Sequence, residues 1–204
     1  MARIGAAIIA IICWTGLAIQ FHSSWSKNGD VLASLWILLR FFTILTNLLL
    51  ALVMTRRALG GALSPFFFGG VTLAILLVGV VYVTLLEGTQ QLSGSAHVAD
   101  TLVHKVSPTV AVLYWLFCVS HGRLAWRAPF LWVLYPLAYF GYALARAAID
   151  GHYPYPFIDV SQLGYPRVIL NAAMITLAFV VTGLGTVALD RALGRRQLAY
   201  TAAS

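Results

Sequence analysis

Apolar runs long enough to cross a bilayer, separated by short charged connections, decide what this chain can fold into. A spanning helix needs about 20 mostly apolar residues. Six stretches meet that requirement: residues 4–21, 32–54, 65–86, 102–120, 129–148 and 168–189. Of 204 residues, 61% are hydrophobic and only 9% charged, where a soluble domain carries roughly 25% charged residues. The expected fold is all-α: a polytopic membrane protein, one six-helix bundle over residues 1–196, with an Ala-rich tail at 197–204 expected to be disordered. The first stretch follows Arg3 but lacks a clear small-residue cleavage site after Gln20, so it reads as a retained helix rather than a signal peptide.

The formal net charge of +7 suggests nucleic acid only until its distribution is considered. Arg3, Arg56, Arg57, Arg123, Arg127, Arg191, Arg195 and Arg196 fall on one side of the alternating connections. Asp30, Glu87, Asp100, Asp150 and Asp159 fall on the other. Positive charge concentrates on the cytoplasmic side of membrane proteins, so both termini are expected in the cytoplasm and no nucleic-acid partner is implied. A bacterial cytoplasmic (inner) membrane suits such a chain. The two cysteines, Cys13 and Cys118, lie within apolar spans and read as small packing residues. No Cys/His cluster, HExxH, P-loop, dinucleotide fingerprint or Gly-x-Ser-x-Gly elbow is present, so neither metal nor cofactor is expected.

One polar group interrupts the second apolar stretch. On a continuous helix, Arg40, Thr43 and Asn47, spaced by three and four, line one face, with Thr46 beside them. A charge and an amide inside a membrane span are costly and point to function. The blander alternative is that helical threonines back-bond to the preceding turn and polar residues hold helices together. His104, with Lys105, opens the fourth stretch. A histidine at that position is more often a hydrogen-bonded structural group, but imidazole also activates a hydroxyl nucleophile near neutral pH. Thr43 and His104 are then expected in the outer half of the bundle. With ~1.5 Å rise per residue, Thr43 lies roughly 12–15 Å into its helix and His104 only a few ångströms into its own, a mismatch in depth that tilt, an earlier start of the fourth helix or side-chain length would have to close. Arg40 is a candidate for a carboxylate or an oxyanion, and Thr46 and Asn47 for orienting the nucleophile.

Further candidates lie towards the C-terminus. Arg146 and Asp150, four apart, suit an ion pair. His152 precedes and Asp159 ends a segment, residues 153–159, in which two prolines alternate with three aromatics. Proline excludes a regular helix there, so this segment is expected either to be extended across the outer mouth or to be an interfacial aromatic belt with no further role. Asn171 comes early in the sixth stretch.

Three ordered segments carry a family resemblance: Arg40 to Asn47, His104 to Val110 with Tyr114 and Trp115 downstream, and Tyr153 to Asp159. From the second helix to the start of the sixth, the chain resembles the androgen-induced-gene family of integral membrane hydrolases, more closely its bacterial six-helix relatives. The resemblance implies a threonine nucleophile at Thr43, a histidine base at His104 and a fatty-acyl ester substrate drawn from the lipid bilayer. In the eukaryotic members the substrates are fatty acid esters of hydroxy fatty acids. Ser107 stands where the eukaryotic pattern has a second histidine, which leaves His104 as the candidate base. Two other classes are set against the lipid ester hydrolase: a small-anion transporter or binding protein that uses Arg40 and Asn47 as ligand contacts, and a non-catalytic structural bundle.

Overall fold

In the computed structural model, residues 2–89 and 91–203 are described, with side chains to residue 195. The tail expected to be disordered, residues 197–204, lies outside the described side chains. Only helices and their connections occur among the described residues. The chain divides into two compact units, Met1–His121 and Gly122–Ser204, and the single domain expected over residues 1–196 is described as these two. Five helices are long and apolar enough to cross a membrane, or six if one bent pair is a single span.

In the first unit, α1 (Ala2–Asn28) has two opposed faces. Ile4, Ile8 and Ile11 are exposed, while Ala6, Ile9, Ala10, Cys13 and Gly16 are buried. Within a bilayer, association depends on close backbone approach, which small residues permit. Gly16 shows how close: a Cβ there would lie 2.8 Å from Val103 Cγ1.

The second expected span is not one helix. It is α2 (Val31–Leu38) and α3 (Phe42–Ala58), bent by 98° at the break. Asp30 caps α2 by accepting the Ala33 N–H at 2.6 Å. Leu38 and Ile37 carbonyls then accept from Phe41 and Arg40 at 3.1 and 3.3 Å, and Phe41 is extended. No proline or glycine occurs between residues 31 and 58, so none of the usual local causes of a kink is available. On α3, Thr43, Thr46, Asn47, Leu50 and Met54 form the buried face, and Arg56 and Arg57 complement the dipole at its C-terminus.

Helix α4 (Pro65–Leu86) begins with proline at a first-turn position, where its missing N–H costs nothing. It ends in a π turn, Tyr82–Leu86, closed by Glu87 N–H to Tyr82 O at 2.8 Å. The fourth span begins at Gly94, not at residue 102, and α5 (Gly94–Cys118) contains a second π turn at Leu102–Val106. α1 packs on α3 and α5, and α4 packs on α3 and α5. Cys13 is buried and Cys118 is exposed, so only the first is a core packing residue.

In the second unit, α6 (Ala128–Asp150) ends on Gly151 in a left-handed cap. The segment 153–159 is not fully extended, because Pro156–Ile158 makes one 3-10 turn that packs against the last helix. That helix, α7 (Val160–Ala203), breaks at Gly164, where φ is +72°. A proline inside a helix loses a hydrogen bond and collides with the preceding turn. The break lets Pro166 sit just inside the start of the long apolar part instead.

Candidate active site

The site is built on the π turn of α5. In this register the Ser107 N–H bonds Leu102 O, and the Ser107 hydroxyl donates to the same carbonyl at 2.6 Å. The next bond in the series needs an N–H at residue 108, which is proline, so Val103 O is left without its helical donor. Asn47 supplies one. Its Nδ2 donates to Val103 O at 3.0 Å and to Thr43 O at 2.9 Å. Gly79 of α4 meets the same turn from another side, where a Cβ would lie 3.1 Å from Pro108 Cβ and 3.3 Å from His104 O. Three helices thus hold the backbone that carries His104.

The imidazole is held as firmly. His104 Nδ1 lies 2.9 Å from Asp100 Oδ1, one turn earlier on α5, and both side chains are largely buried. The other carboxylate oxygen, Oδ2, accepts the Tyr82 hydroxyl at 2.5 Å. The Tyr82 ring stacks on His104 with centroids 4.3 Å apart and planes 15° apart. Tyr82 and His104 each sit in a π turn, a feature often found at functional sites. A proton on Nδ1 directed at the carboxylate leaves the Nε2 lone pair available, the tautomer a general base requires.

The other residues singled out from the sequence fall into separate groups. Thr43 is buried in the first turn of α3, and Thr46 and Asn47 are fully buried behind it. Arg40 does not share a helical face with Thr43 and Asn47, because it lies in the break between α2 and α3. Lys105 points to the surface and pairs with Glu87 at 2.5 Å, both side chains 43% exposed. The depth gap between Thr43 and His104 rested on a straight second helix and a late fourth one. The 98° bend and the start of α5 at Gly94 change both depths, and Asn47 links the Thr43 carbonyl to the Val103 carbonyl beside His104.

In the second unit, Arg146 is buried, donates to the Tyr142 hydroxyl at 2.8 Å and lies 3.8 Å from Asp150 Oδ2. Asp150 Oδ1 accepts the His152 N–H at 3.1 Å, while the His152 side chain is 71% exposed. Asn171 donates to Phe157 O at 2.8 Å and ties the 3-10 turn to α7. Asp159 caps α7: its Oδ1 accepts the Ser161 N–H, the Ser161 hydroxyl and the Gln162 N–H, and Oδ2 accepts the Gln162 amide. The Ser161 hydroxyl and these backbone donors hold its carboxyl below the usual carboxylate range.

Two members of the site went unnoticed in the sequence. Asp100 precedes His104 by four residues, a spacing that alone puts both on one helical face. Tyr82 carries no such signal, since only the packing of α4 on α5 brings it to Asp100. No family model, curated protein or solved structure matches this chain.

Proposed function

We propose that this chain is an integral membrane hydrolase acting on a lipid ester, with Thr43 as nucleophile and His104 as base. The observation that carries the reading is the His104–Asp100 contact at 2.9 Å, an imidazole and a carboxylate largely buried on a membrane-length helix, the pairing that a base and its orienting group would need. In the proposed reaction His104 Nε2 takes the Thr43 hydroxyl proton as the oxygen attacks the acyl carbon. The proton then passes to the departing alkoxide; water, deprotonated by the same imidazole, attacks the acyl carbon, and the imidazolium returns that proton to Thr43 Oγ1 as the acid is released. Arg40, or backbone N–H groups at the positive end of α3, would stabilise the oxyanion. A fatty acid ester of a hydroxy fatty acid, or a related lipid ester, suits a site inside helices rather than on a soluble loop. Both termini would face the cytoplasm of a bacterial inner membrane.

A structural reading has one observation in its favour. Both Asn47 amide hydrogens are committed to carbonyls, one of them on another helix, as in interhelical glue. Labelling of the purified protein by a fluorophosphonate probe, alongside cleavage of a fatty-acyl ester in nanodiscs, separates the two. Thr43→Ala is expected to lose both labelling and cleavage, His104→Ala to slow cleavage by on the order of 10²-fold or more, and Thr46→Ala to stay largely active. A correctly folded Thr43→Ala that is labelled and cleaves at the wild-type rate would sink the hydrolase reading.

A further inference from the structure

We infer that the loop between α5 and α6, with the end of α7, forms a preorganised seat for the phosphodiester headgroup of an anionic membrane lipid. The loop lacks regular structure over most of its length but is fixed by a buried carboxylate. Asp190, on α7 and only 1% exposed, accepts the N–H groups of Gly122 and Leu124 through Oδ2 at 3.0 and 2.9 Å. Gly122 has φ +87°, and a Cβ on it would lie 3.2 Å from Gly194 Cα, so the loop rests directly on α7 backbone. Arg191 ties the next stretch down: its Nε donates to Leu124 O at 3.3 Å and its guanidinium lies 5.7 Å from the Trp126 ring centroid.

This clamp holds in place the groups an anionic headgroup needs. Arg123 and Arg127 are exposed on the loop, and Arg195 is exposed one turn beyond Arg191 on α7. Among the described residues none of these three forms an ion pair. The one acid nearby, Asp190, is enclosed and already satisfied by backbone donors. Trp126 is 49% exposed, and Phe130 and Leu131 beyond it are exposed as well. Tryptophan prefers the headgroup level of a bilayer, and arginine binds phosphate oxygens through paired N–H groups where lysine offers a point charge. Positive-inside topology accounts for arginines on this side of the sequence. It does not account for a loop immobilised by a buried aspartate.

The test is native mass spectrometry of the purified full-length protein with equimolar phosphatidylglycerol and phosphatidylcholine, alongside thermal unfolding with each lipid and with inorganic phosphate. The wild type is expected to retain phosphatidylglycerol over phosphatidylcholine by about tenfold or more. The triple variant Arg123→Gln, Arg127→Gln, Arg195→Gln should fall to parity, while Arg56→Gln, Arg57→Gln, which removes charge of the same topological class, should keep the wild-type ratio. If the glutamine triple fails to fold, the corresponding lysine triple decides: it keeps every charge but loses the paired N–H donors, and should retain clearly less phosphatidylglycerol than the wild type. Equal retention of the two lipids by the wild type, an equal loss in the Arg56/Arg57 control, or undiminished phosphatidylglycerol retention by the lysine triple overturns the seat. Stabilisation by inorganic phosphate as large as that by phosphatidylglycerol would identify a soluble-anion site and overturn the lipid assignment.

Discussion

Asn47 and Val103 are 56 residues apart in sequence and meet at 3.0 Å, side-chain amide to backbone carbonyl. The bond exists because Pro108 has no N–H to give that carbonyl. Two substitutions should therefore be coupled. Asn47→Ala leaves the Val103 carbonyl unsatisfied in a buried place and should cost about 1–3 kcal/mol. Pro108→Ala restores a possible helical donor, so in the Asn47→Ala background it should recover part of that loss. A double-mutant cycle read by thermal or denaturant unfolding checks this; purely additive effects would mean that the proline and the amide act independently.

If His104 is the base of a hydrolase, Asp100, 2.9 Å from its Nδ1, acts through it, and its removal should show in turnover more than in substrate binding. Asp100→Asn keeps the shape but lets the amide favour the wrong imidazole tautomer. Cleavage should fall by on the order of 10²-fold or more in kcat, with KM little changed. The pH–rate profile should also change, because the base is no longer paired with a carboxylate. A fall in KM-dependent terms alone, with kcat and the pH profile intact, would assign Asp100 to substrate binding.

The bend between α2 and α3 makes the membrane path of this pair a measurable question. If the two form one broken span, a reporter fused after Arg57 should read cytoplasmic and one near Ser95 external, as the distribution of arginines implies. If the pair instead enters and leaves on one side, the Arg57 fusion reads external and five spans remain.

Asp159 sets a pH dependence of known sign. Its folded-state pKa is lowered, chiefly by the Ser161 hydroxyl. The stability it contributes is therefore complete above the ordinary aspartate range and is lost as pH falls through the lowered value. At neutral pH, Asp159→Ala should unfold at a lower temperature than the wild type. The difference should hold down to the ordinary aspartate range and shrink only below it. A gap that closes near neutrality would point to a histidine rather than this cap.

The long apolar helices were legible because a bilayer imposes length and composition on them together. The parts that escaped were those set by packing. Residues 94–101 are polar, with Ser95, His97 and Asp100 among them, so a search for apolar runs begins α5 too late. The break at residues 39–41 contains leucine, arginine and phenylalanine, none a helix breaker, and a continuous face through Arg40, Thr43 and Asn47 was the natural reading of the spacing. The Asp100–His104 pair could have been read from its four-residue separation. Tyr82 could not, because its place beside Asp100 depends on where Gly79 lets α4 approach α5.

The π turn at Leu102–Val106 also alters how this helix can be compared with any other. One residue of α-helix advances the face by about 100°, and a π turn acts as a one-residue insertion in that phase. Residues before the turn, Asp100 among them, are therefore rotated relative to residues after it by an amount that no count of apolar positions reveals. Deleting a single residue within 102–106 would leave length and polarity almost unchanged while swinging the first two turns of α5 out of step with Tyr82. In an alignment of chains of this kind, a one-residue gap here would mark the difference between a helix that can hold the carboxylate against the imidazole and one that merely crosses the membrane.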